Sequence, residues 1–301
     1  MFVVKYRKFF YALSSILILG SVFSMVYWGF NLGIDFKGGS ILEVEYKDIR
    51  PTQADLITAI TPLNLDASVR PTGDKGFIIR MKSITQDEKK SLVEALAIPK
   101  DVKFEEKRFD SIGPVLGVEA LRKSLSSIAL VLLAIVLFIA YAFRKVSEPI
   151  SSWKYGFVAI IALFHDVIIP TGVFSMLGHF KGYEIDTLFV TALLVVLGFS
   201  VHDTIVVFDR VRENLGHASS KKPFIEIVGE SVSQTFTRSI NTSLTTLLAL
   251  IVLYFIGGES TQHFSLALII GIVAGTYSSI FIGSPLLVTI ERWQSKRKNN
   301  K

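Results

Sequence analysis

Cysteine is missing from the 301-residue sequence, which excludes disulfide bonds, cysteine-ligated zinc and thiol catalysis. Charged residues are scarce in several long stretches, although the chain as a whole carries 32 Lys and Arg and 26 Asp and Glu residues. Half of all residues are hydrophobic, and they are concentrated in those stretches. The chain is long enough for two domains, and this distribution favours membrane-spanning helices over one large soluble core.

The net charge of +6 does not indicate a nucleic-acid partner, because Lys and Arg do not collect on one element. They flank the apolar stretches instead, as residues that set membrane topology do. The short loops that we place outside hold only Lys181, whereas every loop that we place inside, including the one with Lys145, is basic. This asymmetry predicts a multi-pass protein of the cytoplasmic (inner) membrane, embedded in the lipid bilayer, with both termini in the cytoplasm.

The first span is the uncharged stretch from Phe9 to Phe30, which is longer than the apolar part of a cleaved signal peptide. Residues 1–30 are therefore predicted to be a cytoplasmic N-terminus followed by an uncleaved anchor. Five more spans are predicted within residues 119–290, at 124–143, about 153–177, 188–214, about 236–256 and 264–290. The amphipathic segment from Pro223 to Val232 is predicted to lie along the membrane interface, and residues 291–301 form a basic cytoplasmic tail.

Residues 31–118 mix charged and apolar residues without a spanning stretch, which predicts a folded extracytoplasmic domain. Strand and helix patterns alternate in it, with strands at 41–46, 67–72, 76–82 and 101–110 and helices at 51–63 and 85–97. Thr85 and Glu88 have the spacing of a capping box. The order β-α-β-β-α-β predicts a ferredoxin-like fold. The predicted fold class is thus an α-helical polytopic membrane protein of six transmembrane helices, with an α+β domain inserted between helices 1 and 2.

Several titratable residues lie inside the predicted spans: His165 and Asp166 in the third, His202 and Asp203 in the fourth, and Arg238 in the fifth. An ionised carboxylate at the centre of a bilayer costs about 2.5–3.5 kcal/mol on insertion scales, so such residues usually have a function. Adjacent helical residues point about 100° apart, which makes chelation of one metal ion by a His-Asp pair improbable. Neither Asp166 nor Asp203 lies in a Gly-x-Gly-Asp stretch, which argues against an intramembrane aspartyl protease. We favour a proton relay in which Asp203 moves between an apolar environment and the neighbourhood of Arg238.

The fifth and sixth spans each carry a stripe of similar residues on one helical face. In the fifth span the stripe is polar and must face protein or water; it consists of Gln234, Arg238, Asn241, Thr242 and Thr245. Hydrogen bonds between helices explain most of this polar stripe. Arg238 is harder to explain in that way, and the alternative to a functional role is that its side chain snorkels to the inner membrane interface. In the sixth span the residues are small and spaced by four, as in close helix packing: Ala267, Gly271, Gly275, Ser279 and Gly283.

A glycine-rich turn follows the first span. Gly38 and Gly39 permit a tight turn with positive φ, and Gly33 and Asp35 precede them, with Asp35 as a possible cap of a linker. This turn and three stretches in the later spans resemble the sequence motifs of the SecF members of the SecD/SecF protein-export family, which is part of the RND superfamily. The matching stretches are GIDFKGGS (33–40), ALFHDV (162–167), VVLGFSVHDTIVVFDRVREN (195–214) and SQTFTRSINTSLTTLLAL (233–250).

The resemblance implies a proton-motive-force-coupled subunit of Sec-dependent translocation, with no cofactor and no enzymatic activity. It implies SecD, the SecYEG channel and the translocating preprotein as partners, with YajC and YidC as further ones. It assigns Asp203 and Arg238 to the proton pathway, with Asp166, which lies in a matching motif, as a further member. His202 stands where many members have Asn. Because a histidine can titrate near neutral pH, His202 is a further candidate for the pathway, but we prefer a neutral hydrogen-bonding replacement. The alternatives are an RND-type exporter of small molecules or lipids, a passive scaffold for channel assembly, and coupling to Na⁺ instead of protons.

Overall fold

The computed structural model describes residues 2–47, 50–97, 102–144, 151–218 and 222–299. It contains two compact units: a membrane unit of residues 1–31 and 126–301, and a sheet unit of residues 32–125. Three predicted features lie outside the described residues, namely the first residue of the strand at 101–110, Lys145 in the basic inner loop, and the last two residues of the tail.

The helices and strands follow one another as the sequence patterns predict, with shifted ends. The helices are α1 (Phe2–Lys5), α2 (Arg7–Trp28), α3 (Ile34–Lys37), α4 (Gln53–Ile60), α5 (Gln86–Leu96), α6 (Pro114–Ala142), α7 (Ser152–Lys181), α8 (Thr187–His217), α9 (Phe224–Ile256), α10 (Glu259–Ser278) and α11 (Ser284–Asn299). The strands are β1 (Gly39–Tyr46), β2 (Ser68–Thr72), β3 (Gly76–Met81) and β4 (Phe104–Ile112).

Six helices in the described chain are long and apolar enough to cross a membrane, which confirms the predicted number of spans. The sixth is built from α10 and α11, which are joined by a π-helical segment at Ser279–Gly283. The second, α6, begins at Pro114, several residues earlier than the predicted span. Proline suits the first turn of a helix because its ring presets φ and no helical hydrogen bond needs its missing N–H.

The prediction of an interfacial segment at Pro223 to Val232 is wrong. Pro223 is the N-cap of α9, which continues without a break to Ile256. Ile227, Val228 and Val232 on its first turns are buried in the core of the membrane unit. An amphipathic pattern shows that one face is apolar, but it does not show whether lipid or protein covers that face.

The sheet unit is built around a four-stranded sheet of order β2-β3-β1-β4, in which all neighbours are antiparallel. One face of the sheet and the two helices α4 and α5 enclose an apolar core. Its fully buried members are Leu42, Val44, Tyr46, Leu56, Ile79, Leu92 and Leu96. The element order β-α-β-β-α-β is confirmed, whereas the ferredoxin-like assignment stays a prediction.

The helices α4 and α5, which pack on the sheet, each begin at a threonine that closes a capping box. The Thr85 hydroxyl accepts the amide hydrogen of Glu88 at 3.3 Å, and the Glu88 carboxylate accepts that of Thr85 at 2.8 Å, as predicted. Thr52 and Asp55 form the same arrangement at the start of α4. Each box satisfies amide groups that a helix leaves without intrahelical partners.

Candidate functional site

Asp203 lies in the interior of the membrane unit, on α8, with 2% of its surface exposed. Its Oδ2 atom is buried and accepts no hydrogen bond from the described residues. Leaving a buried polar atom without a partner costs about 1–3 kcal/mol, and more if the group is charged. Asp203 is therefore suited to bind a proton, or a water molecule that carries one.

His202 does not supply the missing partner. Its side chain is 61% exposed, and its Nδ1 atom lies 3.9 Å from the Oδ1 atom of Asp203, which is too long for a hydrogen bond. Adjacent residues of one helix point in different directions, so the burial of one says little about the other. The role of His202 as a neutral hydrogen-bonding replacement stays a prediction, and Asp203 is not the group to which it bonds.

Arg238 is on the outward face of α9. It interacts electrostatically with the carboxylate of Asp203, but the two side chains form neither a hydrogen bond nor an ion pair within the described residues. The other members of the polar stripe point outward as well: Gln234, Asn241 and Thr245 are exposed, and Thr242 is half-buried. A polar face on a spanning helix must meet protein or water, so this face of α9 is suited to contact water or a further protein.

Gln234 ties α9 to α8 at one end of the stripe. Its Oε1 atom accepts hydrogen bonds from Arg210 Nε at 2.6 Å and from Asn214 Nδ2 at 2.9 Å. Arg210 in turn forms an ion pair with Glu213. Gln234 is thus held by a network at the end of the two helices and is not directed towards Asp203.

Asp166 lies on α7 and is completely buried. Its Oδ2 atom accepts hydrogen bonds from the hydroxyls of Ser200 at 2.5 Å and Ser278 at 2.9 Å, and its Oδ1 atom lies 3.0 Å from Nδ1 of His165. The His165 ring is 1% exposed, stacks on the ring of Tyr277, and has no hydrogen-bond partner at Nε2 among the described residues. Three helices therefore meet at one carboxylate in the middle of the membrane unit.

The small residues of α10 allow α8 to approach closely beside this carboxylate. A Cβ atom on Gly271 would lie 2.3 Å from a Val196 methyl, and one on Gly275 would lie 2.9 Å from Cβ of Ser200. Ala267 is also fully buried. Gly283 has looser neighbours, the nearest at 3.6 Å, so the tight approach covers only part of the stripe.

The π-helical segment begins at Ser279, the fourth residue of that stripe. The Ser279 hydroxyl lies 2.8 Å from that of Thr204 and donates to the Ser200 carbonyl at 3.3 Å. π-helical turns are rare and frequently occur at functional sites. Here the start of the irregular turn lies between two helices: Ser278, just before it, contacts Asp166 on α7, and Ser279 contacts Thr204 on α8, the residue that follows Asp203.

Comparison with known proteins identifies the family. The model described as "Protein export membrane protein SecD/SecF, C-terminal" matches residues 92–293, and the "SecD/SecF GG Motif" matches residues 29–48. The protein translocase subunit SecF of Thermobaculum terrenum is 43% identical over 306 residues, which cover 98% of this chain and 94% of that protein. The chain belongs to the SecD/SecF protein-export family.

Another relative and a solved structure agree with this assignment. The protein translocase subunit SecF of Anaerolinea thermophila is 37% identical, and the match covers 98% of this chain and 94% of that protein. The crystal structure of SecDF from Thermus thermophilus, described as a translocon-associated membrane protein, superposes with a TM-score of 0.82 at 29% identity. That match covers 96% of this chain but 38% of the SecDF chain.

The glycine motif of the SecD/SecF family has a structural basis in the sheet unit. Gly38 and Gly39 have φ angles of +76° and +140°, and a Cβ atom on Gly38 would lie 2.7 Å from the Cα of Pro114. Gly33 is the N-cap of the short helix α3, and Asp35 lies in its first turn. The motif is therefore not a free linker: it packs the start of β1 against the start of α6.

Sequence patterns did not reveal the residues that surround Asp166. Ser200, Thr204 and Ser278 are isolated hydroxyl residues in apolar helices, and His165 was noted only as a possible metal ligand. One usable signal was present: Ser200 and Thr204 stand four apart on the same face of α8, and Ser278 and Ser279 interrupt the glycine ridge of α10.

Proposed function

We propose that this chain is a proton-driven auxiliary subunit of Sec-dependent protein translocation that works with SecD to complete preprotein export. The observation that carries the proposal is Asp203, a carboxylate in the interior of a spanning unit with one oxygen unpartnered among the described residues. A group of this kind is expensive to keep in a membrane protein unless it takes up and releases a proton. The family membership supplies the process that the proton would drive.

The exposed polar stripe of α9 supports SecD as the partner. Arg238 and Asn241 would face lipid in a monomer, which disfavours the monomer as the working state. The solved SecDF chain is much longer than this one and includes a similar region, which suggests that a SecD-type region covers the stripe. Association would also lower the polarity around Arg238 and strengthen its interaction with Asp203.

The remaining features of the proposal come from the charge pattern and the family. Basic residues flank the spans on one side, which we assign to the cytoplasm. In the cytoplasmic (inner) membrane, the sheet unit would then lie outside the cytoplasm. There the sheet unit would meet the emerging preprotein beside the SecYEG channel, with YajC and YidC nearby. The coupling ion is the proton, and no cofactor is needed.

Proton coupling would use two environments for one carboxylate. In the structure Asp203 is buried, and burial favours its neutral form; when it approaches Arg238, the carboxylate form is favoured and the proton leaves. The membrane potential supplies about 2.3 kcal/mol per elementary charge per 100 mV, enough for one or two protons to drive a sizeable rearrangement.

Export of small molecules or lipids is a weaker alternative. Ligand pockets for such molecules usually enclose about 300–1,000 Å³. The sheet unit has a surface cavity of about 240 Å³ beside α4 and β2, lined in part by Ile57, Leu65 and Val69. This cavity is smaller than that range. The membrane unit has a larger cavity of about 430 Å³, lined in part by Val4 and Val232, so the family membership, and not cavity size, is what favours protein export.

The test is export of a secretory precursor into membrane vesicles that contain SecD and this chain, with a proton gradient imposed. We expect Asp203→Asn to lose the gradient-dependent part of export and to keep the gradient-independent part. The matched control is Asp209→Asn, the same chemical change on the same helix; Asp209 is about half exposed, and its ion pair with Arg212 lies at the surface. Full gradient-dependent export by Asp203→Asn would reject the proton relay and favour a passive scaffold.

A further inference from the structure

We propose that His165 and Asp166 together hold a second exchangeable proton, at a site on α7 that is separate from Asp203. This inference rests on the proposed proton-driven function, because a buried protonatable pair is useful to a protein that works on a proton gradient. The two side chains are 1% and 0% exposed, and they lie 3.0 Å apart at the centre of the membrane unit.

The balance of charge in the pair requires a proton. A neutral imidazole beside a carboxylate carries one net negative charge, and burying an uncompensated charge costs several kcal/mol. Uptake of one proton, shared between His165 Nδ1 and Asp166 Oδ1, makes the pair neutral overall. The Ser200 hydroxyl donates to Oδ2, whereas the Ser278 hydroxyl lies within hydrogen-bond distance of both Oδ2 and the Gly275 carbonyl. The bond from Ser200 keeps Oδ2 as an acceptor and directs the extra proton to the other side of the carboxyl group.

The contacts of the pair with other described residues include no cation that could neutralise it. The titratable side chain that packs against it from another helix is Tyr277 on α10, whose ring stacks on the His165 ring at 5.9 Å. The phenol of Tyr277 donates to the Phe10 carbonyl on α2 and accepts from Ser14, so it faces away from the carboxylate. The contacts from α8 and from the end of α10 are serine hydroxyls. No Lys or Arg forms an ion pair with Asp166 within the described residues.

Two further features make the pair suitable for exchange. The Nε2 atom of His165 is buried without a hydrogen-bond partner among the described residues, which leaves a position where a proton can enter or leave through water. Pro170, four residues after Asp166 in the same helix, has no N–H group to donate to the Asp166 carbonyl.

Packing of α8 against α10 connects this pair with Asp203. Ser200 contacts Asp166 and stands three residues before Asp203 on α8, and Ser279 contacts both the Ser200 carbonyl and Thr204. The described hydroxyls do not form a continuous proton path, because the chain of hydrogen bonds passes through the backbone carbonyl of Ser200. The two sites therefore bind their protons separately, although α8 carries a contact of each.

The experiment is acid–base difference infrared spectroscopy of the full chain with SecD in lipid nanodiscs. Among the carboxylic acid C=O bands we expect two from buried groups, one lost in Asp166→Asn and the other in Asp203→Asn. His165→Gln should shift the Asp166 band. Ser278→Ala should shift it too, since it removes a hydrogen-bond partner of Asp166. Ser265→Ala should not, because Ser265 is a buried serine of the same helix that donates to the Thr261 carbonyl.

The outcomes separate this proposal from the proposed function. A spectrum of folded Asp166→Asn that matches the wild type overturns the second site, as does loss of both bands in Asp203→Asn. If Asp166→Asn does not insert into the membrane, the shifts of the Asp166 band in His165→Gln and Ser278→Ala become the test. If neither variant shifts that band, the second proton site is overturned. Retention of gradient-driven export by Asp203→Asn rejects the proposed function, while an Asp166 band in the same sample still supports proton binding by the pair.

Discussion

The two units of this protein distribute polar residues in opposite ways. The sheet unit has an apolar core, and the one buried polar side chain among its described residues is Ser40. The membrane unit has apolar side chains on its surface, such as Leu130 at 67% exposed and Phe255 at 76%, and it buries His165, Asp166 and Asp203. Water drives apolar groups inwards in the first unit, whereas lipid exerts no such force in the second. Burial consequently serves stability in the sheet unit, and we propose that it serves function in the membrane unit.

Truncating the core of the sheet unit gives the largest expected effect on stability. Ile79 is completely buried in that core, so Ile79→Ala should lower the free energy of unfolding of the sheet unit by about 2–5 kcal/mol through lost burial and a new cavity. Hydrogen exchange of amides in residues 39–112 of the full chain measures the change. Ile57→Ala is the control, since Ile57 is 44% exposed and should change stability by no more than about 0.5 kcal/mol. Equal effects of the two variants would contradict the assigned core.

Alkaline pH should weaken the same core through Tyr46. Burial raises the pKa of Tyr46 from 10 to about 12, and its hydroxyl donates to the Leu96 carbonyl at 2.9 Å. A group whose pKa is higher in the folded state stabilises the fold below the unfolded value, and this stability is lost as pH rises from about 10 to about 12. We expect a loss of about 1–2 kcal/mol after allowing for solvent screening.

The Tyr46 effect can be isolated, because Tyr46 is the one tyrosine in residues 32–125. In Tyr46→Phe the sheet unit should be less stable at neutral pH by about 1 kcal/mol, the usual net value of one hydrogen bond. Its remaining stability should then fall less steeply than that of the wild type above pH 10. If the stability of the two proteins falls in parallel above pH 10, ionisation of Tyr46 does not destabilise the folded sheet unit.

Removing the buried charge of the membrane unit should have a small effect on its stability. Asp166→Leu deletes the acceptor for Ser200 and Ser278, and interhelical hydrogen bonds in membranes are worth about 0.6 kcal/mol each, so we expect a loss of about 1 kcal/mol in mixed micelles. Gradient-driven export should nevertheless disappear. A loss of stability as large as that of Ile79→Ala would show that Asp166 is a structural residue. Burial would then serve stability in both units, which contradicts the contrast between them.

The smallest effect is expected on the lipid-facing surface. Leu130→Ala on α6 exchanges one apolar side chain in contact with lipid for another, so the stability of the membrane unit should change by less than about 0.5 kcal/mol. Unfolding in mixed micelles tests this, with the buried Leu197→Ala as the comparison. If Leu130→Ala destabilises as much as Leu197→Ala, this face of α6 is covered by protein.

Several structural features were predictable because their signals are local. The capping box of Thr85 and Glu88 needs only residues three apart, and the six spans need only long apolar runs. The prediction for the segment after Pro223 was wrong because it also used a local signal. Its apolar face can be read from neighbouring residues, but the side chains that cover this face come from distant parts of the chain.

The candidate site shows the limit more clearly. Asp203 and Arg238 were both found from their unusual position in spanning helices, yet one is buried and the other exposed. The rotation of α8 and α9 about their axes decides this, and neither helix has a strong enough apolar stripe to set its own rotation. The partners of Asp166 were not predictable at all, since Ser200 and Ser278 reach it from helices that are 34 and 112 residues away in sequence.

The sequence by itself determined six membrane spans, the order of elements in the sheet unit and membership of the SecD/SecF family, because each depends on runs, periods or motifs of neighbouring residues. Only the tertiary structure decided that His165 and Asp166 share a site with Ser200 and Ser278, that Asp203 has an unpartnered oxygen, and that the polar stripe of α9 faces outward. These features depend on which helix faces meet. In a membrane that choice is made by close packing of small residues such as Gly271 and Gly275, and the hydrophobic pattern along the chain does not record it.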